Sequence, residues 1–220
     1  MAQIKGPKGS PTIDMTPMVD LAFLLVTFFM LSANFRSDEP VVVDTPSSIA
    51  TIETPKNIVL ITIEKGGRVF FGFTAGEEAR KNLLIKMAAK YKVPLSQEHI
   101  KKFIGLSSFG CSIRQLPAYL DLDPEERKKT NMSIPVEKEN NELKDWINFG
   151  NAEGITAGAA KYEAAAMRDP EANPEDFKIK FILKVDGKAL YERAKMVIET
   201  FRDLKLNNLN FVTSLEAGEK

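Results

Sequence analysis

The most constraining feature of the chain is an apolar run near its N-terminus that holds a single charge. The run TPMVDLAFLLVTFFMLS covers residues 16–32, and its one charged residue is Asp20. We predict a helix over residues 16–35, in which Thr16 caps the N-terminus and Pro17 takes the first helical position. Such a helix is about 28 Å long, close to the ~30 Å hydrocarbon thickness of a bilayer. The run is therefore predicted to be a single N-terminal transmembrane helix.

Two other kinds of segment also contain a long apolar run, namely a buried helix of a globular protein and a cleaved secretory signal. A buried helix of a globular protein usually keeps a polar face toward solvent, and this run has none. A cleaved secretory signal needs small residues at the cleavage point, where MLSANF instead places Leu31 at the outer position. We therefore expect an uncleaved anchor. Lys5 and Lys8 precede the run, whereas Arg36, Asp38 and Glu39 follow it; this small excess of positive charge before the run predicts a cytoplasmic N-terminus and a periplasmic C-terminal domain.

Composition limits the partners and the chemistry. The 30 basic and 30 acidic residues cancel, which argues against binding to nucleic acid. The one cysteine, Cys111, excludes an internal disulfide, and we expect it to be a small buried hydrophobe. With one histidine, His99, a zinc site would need carboxylate ligands, so we predict no metal and no other cofactor. The chain shows no phosphate-binding loop and no serine or cysteine triad, so we do not expect an enzyme.

The chain outside the apolar run divides into a tail, a linker and a folded domain. Residues 1–15 are polar and are predicted to be a cytoplasmic tail. Residues 36–56 are rich in Pro, Ser and Thr, and they are predicted to be an extended periplasmic linker. Within this linker, Val41, Val42 and Val43 form a short apolar segment. We predict that it pairs with a sheet edge, in a second copy of the chain or in a partner.

Residues 57–220 are predicted to form an α+β domain, in which a small sheet packs on helices. NIVLITIE and RVFFGF flank Gly66 and Gly67, which is typical of a hairpin. FKIKFILKV and NLNFVTSL are predicted to be further strands, with the helix of KALYERAKMVIETFRDLK between them. A mostly helical insertion is predicted over about residues 75–176. Within it, the helix of NNELKDWINFG is predicted to end at Gly150.

Asp20 is the candidate functional residue of the predicted transmembrane helix. Acidic residues near the centre of such helices cost about 2.5–3.5 kcal/mol on insertion scales and commonly serve as proton or ion relays. The alternative is that Asp20, near the helix start, lies at the headgroup boundary and favours the positive helix end. Thr27 lies two turns further on the same face, with Phe23, Leu24 and Leu31, which favours a partly wetted seam between helices. A hydroxyl bonded to the Phe23 carbonyl is the alternative for Thr27.

A single helix cannot shelter a carboxylate from lipid, so Asp20 implies partner helices. The chain offers no second apolar span of similar length. The partner helices are therefore expected to come from other subunits.

The run IDMTPMVDLAFLLVTFFM resembles the ExbD/TolR family of bacterial motor subunits. The family pattern is Ile–(Asn/Asp)–x–Thr–Pro–x–x–Asp, followed by a Leu-rich stretch that ends in Phe-Met. The residues that fall on this pattern without a gap are Ile13, Asp14, Thr16, Pro17, Asp20, Leu24, Leu25, Phe29 and Met30. The C-terminal strand–helix–strand also resembles the end of the family's periplasmic domain. The helical insertion departs from the compact family pattern and resembles an enlarged branch.

The resemblance implies a set of partners and a function. Two copies of the family's subunit are held within a ring of ExbB-like or TolQ-like subunits in the inner membrane. Protonation of the helix aspartate, here Asp20, couples proton entry to motion that energises TonB-dependent outer-membrane transport, so a TonB-like protein is a further partner. Thr27, Thr16 and Pro17 share the proton-path region of the helix. A TolR-like envelope role and a passive membrane-anchored binding module are the alternatives, although a passive anchor gains nothing from a buried acid.

Overall fold

The structure of the chain is a computed structural model that describes residues 16–32, 57–187, 189–206 and 208–213. The chain divides into two compact units, residues 1–36 and 37–220. Helix α1 (Thr16–Ser32) belongs to the first unit. Among the described residues, no helix combines the length and the apolar character that crossing a membrane requires. The predicted helix positions 33–35 and the predicted strand at Val41–Val43 lie outside the described residues.

The second unit contains an α+β domain, as predicted. Its helices are α2 (Glu77–Tyr91), α3 (Gln97–Gly105), α4 (Leu116–Asp121), α5 (Pro124–Lys129), α6 (Glu142–Ala166) and α7 (Tyr191–Asp203), and a 3-10 helix covers Pro174–Phe177. Its strands are β1 (Ile58–Ile63), β2 (Val69–Phe73), β3 (Ser108–Phe109), β4 (Val136–Glu137), β5 (Asn140–Asn141), β6 (Lys180–Val185) and β7 (Leu209–Thr213). Five strands form one sheet in the order β3-β2-β1-β6-β7, and β4 pairs with β5 alone.

The sheet mixes an antiparallel and a parallel half. β1 and β2 form the predicted hairpin, whose turn places Gly67 at a φ of 78° and lets its N–H donate to the Glu64 carbonyl at 2.8 Å. β6 pairs with β1 in parallel, with Ile61 opposite Leu183, and β7 pairs with β6 in parallel. Parallel neighbours need a crossover connection. α7 supplies the one between β6 and β7, which confirms the predicted strand–helix–strand.

The predicted insertion is part of the core. Along β1, the alternate side chains Val59, Ile61 and Ile63 are fully buried. The insertion contributes to the same core, where Leu83 of α2 and Trp146 of α6 are equally buried. β3, which also comes from the insertion, adds an edge strand to the sheet. The domain therefore has one hydrophobic core, to which α2 and α6 of the insertion and α7 outside it all contribute.

α6 corrects the prediction that its helix ends at Gly150. The helix continues to Ala166, and Gly150, Gly154 and Gly158, which recur every fourth residue, lie on one of its faces. A Cβ added at Gly158 would overlap the Phe177 carbonyl oxygen, and one added at Gly150 would touch the Phe71 ring. These glycines allow a close approach between α6 and the sheet side of the domain. Their role is packing, and they do not terminate the helix.

Candidate functional site

Asp20 lies at the start of the second turn of α1 and is the only charged residue among those described in that helix. Every described side chain from Thr16 to Met30 is exposed; Phe23, for example, is 69% exposed and Leu24 is 66% exposed. Most of these side chains are apolar, and they surround the helix on all sides. An exposed apolar surface of this kind marks an interaction with other molecules or with lipid.

Thr27 lies on the same face of α1 as Asp20, about 10 Å further along the helix axis. Its hydroxyl donates to the carbonyl of Phe23 at 2.9 Å and also approaches the carbonyl of Leu24 at 3.0 Å. The backbone-bonded hydroxyl that the sequence offered as an alternative is thus present. The Thr27 oxygen can still accept a hydrogen bond through its lone pairs. A place for Thr27 on a proton path therefore stays a prediction.

The start of α1 agrees with the predicted range, but Thr16 and Pro17 take different places in the helix. The described helix begins at Thr16, so Pro17 is its second residue instead of its first. Proline is tolerated there because the N–H groups of the first turn have no partner within a helix. The proposed part of Thr16 and Pro17 in the proton path stays a prediction.

The single histidine of the α+β domain caps a helix. His99 Nδ1 lies 3.4 Å from the Ser96 backbone N–H, and the Ser96 hydroxyl accepts from the His99 N–H at 3.2 Å. On its other side, His99 Nε2 is 3.3 Å from Asp121. A hydrogen bond from Lys102 and a second from His99 hold the pKa of the Asp121 carboxyl below its usual value. No three metal-binding side chains cluster within the described part of the chain.

Cys111 and Glu142 are buried together near the start of α6. Burial, and then the negative charge of Glu142, raise the pKa of the Cys111 thiol, which agrees with the prediction of a small buried hydrophobe. Glu142 is 2% exposed and accepts hydrogen bonds from the Ser112 hydroxyl at 2.7 Å and the Ile113 N–H at 2.8 Å. It is the first residue of α6, where the helix dipole favours a negative charge. In the sequence this carboxylate was not predicted as functional, since its one signal is its position after the capping Asn141.

A groove of about 660 Å³ lies beside the C-terminal half of α6, next to the segments that lead into β6 and β7. We call it the α6 groove. Its lining is mostly apolar and includes Ile155, Ala159, Tyr162, Pro174, Phe177, Ile179, Phe181 and Leu206. The charged residues among its described lining are Lys178 and Lys205. The groove was not predicted from the sequence because its walls come from three separate stretches of the chain.

The geometry defines a class of two-part proteins, in which an apolar helix with one carboxylate precedes an α+β domain. The family model described as biopolymer transport protein ExbD/TolR matches residues 7–216. The chain therefore belongs to the ExbD/TolR family, which confirms the resemblance seen in the Thr-Pro-x-x-Asp pattern. No curated protein and no solved structure matches the chain.

Proposed function

We propose that this chain is an ExbD-like subunit of an inner-membrane motor that uses the proton-motive force to energise TonB-dependent outer-membrane transport. Membership of the ExbD/TolR family supports a role in biopolymer transport. The observation that carries the proposal is Asp20, the sole charge among the described residues of an apolar, exposed helix. Its position after Thr16 and Pro17 matches the aspartate of the family pattern.

The chemistry of a carboxyl group suits this role. In an apolar environment the neutral acid is tolerated, whereas the ionised form needs water or a polar partner. When Asp20 loses its proton, the helix therefore favours a position in which this side chain contacts water or a polar partner instead of an apolar surface. If the surroundings of Asp20 open alternately to the two sides of the membrane, the carboxyl binds a proton on one side and releases it on the other. Each cycle then couples proton passage to a displacement of α1.

The assembly follows from the need to enclose Asp20. We place α1 in the inner membrane, with the N-terminus in the cytoplasm and the α+β domain in the periplasm; the exposed apolar surface of α1 supports this placement. Two such helices are too few to surround a carboxylate, so a homodimer within an ExbB-like or TolQ-like ring is proposed. Ring residues opposite Asp20 and Thr27 are expected to be hydroxyl-bearing, because a hydroxyl both donates and accepts without carrying charge.

The linker supplies a second proposed contact. Val41, Val42 and Val43 are apolar and β-branched, so they are suited to add as a strand to a sheet edge of a second copy or of a TonB-like protein. Val42→Pro removes one backbone donor and should weaken such pairing. Crosslinking from the linker to the dimer partner and to the TonB-like protein should fall in this variant. Unchanged crosslinking would remove the linker from the proposal.

Substitution of Asp20 tests the proposal in a strain where this chain is the only ExbD-like subunit. Asp20→Asn keeps the shape of the side chain and removes the titrating proton. The variant should accumulate and co-purify with the ring at wild-type levels, yet lose energised uptake of an outer-membrane substrate. Asp14→Asn, before the helix, is the matched control and should keep most uptake. Normal uptake with Asp20→Asn would end the proton-carrier proposal.

The same strains separate the alternatives. A TolR-like subunit would leave energised uptake intact and instead make cells with Asp20→Asn sensitive to detergent and leaky for periplasmic proteins. A passive membrane-anchored module would show neither defect, because the substitution removes a proton and leaves the anchor in place.

A further inference from the structure

The α6 groove takes no part in the proposed proton cycle, and its lining has the composition of a ligand site. We propose that the α6 groove binds a long-chain fatty acid, whose carboxylate pairs with Lys178 and Lys205 and whose acyl chain lies along α6. This binding site is separate from the proposed motor function and does not depend on it.

The size and walls of the groove suit a single acyl chain. Its volume of about 660 Å³ lies within the ~300–1,000 Å³ that is usual for small-molecule sites. On α6 the groove is lined by Ala159, whose small and exposed side chain leaves space beside the helix. Phe177 and Ile179 also line the groove, and these larger apolar side chains offer contact area to a hydrocarbon chain.

The charges around the groove favour an anion. Lys178 follows the 3-10 helix and Lys205 follows α7, so two separate segments place a positive charge in the lining. Lys178 forms an ion pair with Glu175, but both side chains are largely exposed, and such surface pairs are weak. None of the ion pairs formed within the described part of the chain involves Lys205. The amides of Asn151 and Asn208 add hydrogen-bond donors for a carboxylate.

The backbone around the groove favours an acyl chain over a peptide. An extended peptide needs partners for its own N–H and C=O groups. The α6 wall offers few, because the backbone of a helix interior is already bonded within the helix. β6 also offers none at its edges, since it pairs with β1 on one side and β7 on the other. An acyl chain has no polar groups to satisfy, so it fits walls of this kind without an unpaired donor or acceptor.

Photolabelling of the full chain tests the proposal. The chain is reconstituted in nanodiscs of zwitterionic lipid with a diazirine derivative of palmitic acid, irradiated and digested, and the labelled residues are mapped by mass spectrometry. Label is expected within residues 151–162 and 174–181, with competition by unlabelled palmitate. Labelling of these segments should fall about tenfold or more in Lys178→Glu/Lys205→Glu, because two charge-assisted contacts become repulsive.

Two further variants make the test specific. Ala159→Phe fills the groove from an exposed position, so it should abolish labelling there while the fluorescence of the single tryptophan, Trp146, stays native. Lys92→Glu is the matched charge control. Lys92 is exposed and shares the left-handed backbone of Lys205, with φ values of 54° and 55°, but lies outside the groove. Labelling of the groove segments in Lys92→Glu should therefore equal that in the wild type.

Several results would overturn the proposal. Equal labelling of wild type and Ala159→Phe would mean that the probe does not enter the groove. Equal competition by the matching fatty alcohol would mean that the lysines do not select a carboxylate. Label confined to residues 16–32 would reflect lipid around that helix only. Displacement of the label by an acidic peptide, with no competition by palmitate, would assign the groove to a protein partner instead.

Discussion

α1 and the α+β domain are both rich in apolar residues, yet they use them in opposite ways. The described side chains of α1 from Thr16 to Met30 are all exposed, whereas the domain buries Ile61, Leu83 and Trp146 completely. The domain thus provides its own core. The helix offers an apolar surface that other molecules must cover. Apolar content alone does not distinguish a self-contained fold from a segment that is completed by an assembly.

The carboxylates of the two regions differ in the same way. Glu142 is buried in the domain, where a hydroxyl and a backbone N–H satisfy it and fix its position. Asp20 is exposed on α1 among apolar neighbours. A carboxylate held by two donors stabilises one arrangement, while a carboxylate exposed among apolar neighbours suits an interaction outside the helix. This difference supports a structural role for Glu142 and the proposed proton-carrying role for Asp20.

The largest expected effect compares one leucine from each region. Leu83→Ala removes a fully buried side chain and should lower the free energy of unfolding by about 2–5 kcal/mol. Leu24→Ala changes an exposed residue of α1 and should leave the domain's stability unchanged. Denaturant unfolding of the full chain, followed by Trp146 fluorescence, measures both. A comparable loss in the two variants would show that α1 contributes to the domain's core.

The glycines of the domain allow a second comparison, between a contact and an open position. Gly158→Ala places a methyl group against the Phe177 carbonyl and should destabilise the domain by about 1–3 kcal/mol. Gly105→Ala, at the end of α3, meets no atom within 4 Å and should be neutral or stabilising by at most about 1 kcal/mol. The same unfolding experiment applies. A neutral Gly158→Ala would contradict the close packing of α6.

The buried carboxylate of the domain gives the third prediction. Glu142→Gln brings an amide NH₂ toward two hydrogen-bond donors and should cost about 1–3 kcal/mol of unfolding free energy. Glu78→Gln, at an exposed site in the first turn of α2, is the control and should cost at most about 1 kcal/mol. Equal costs would mean that the bonds to Ser112 and Ile113 contribute nothing beyond the helix dipole.

The smallest effect concerns an exposed acid of the domain. Lys102→Ala removes the larger of the two hydrogen bonds that lower the Asp121 pKa, so that pKa should rise toward its usual value. Because the folded-state pKa is depressed, the interaction stabilises the fold above the carboxyl's unfolded pKa and is lost as the pH falls through the folded one. Lys101→Ala, at an adjacent exposed lysine, should leave the pKa unchanged. An NMR titration of the Asp121 carboxyl measures its pKa in both variants. An Asp121 pKa that is the same in Lys102→Ala as in the wild type would contradict the interaction between Lys102 and Asp121.

The sequence predicted what local patterns determine. The β1–β2 hairpin follows from two β-rich runs around Gly66 and Gly67, and Asp20 stands out because a charge in an apolar run is a local signal. The run KALYERAKMVIETFRDLK was expected to be helical, but α7 begins at Tyr191, and Leu190 precedes it and is exposed. An apolar pattern predicts that a helix exists more reliably than it predicts the residue at which the helix begins.

What the sequence missed depends on contacts between distant segments. Gly150 was expected to end its helix, but it instead allows the helix to pack against the ring of Phe71, which is distant in the sequence. β3, β4 and β5 have two residues each, too few to show any alternation. The α6 groove joins residues from 151 to 208, and no short motif marks it.

Proton flux through reconstituted liposomes tests the central claim about Asp20 most directly. Under a pH gradient, the chain alone should conduct no protons, and the chain with its ring-forming partner should conduct them. Asp20→Asn should assemble with the partner and conduct none. Flux from the chain alone that the partner does not raise, or undiminished flux with Asp20→Asn in the complex, would contradict the account.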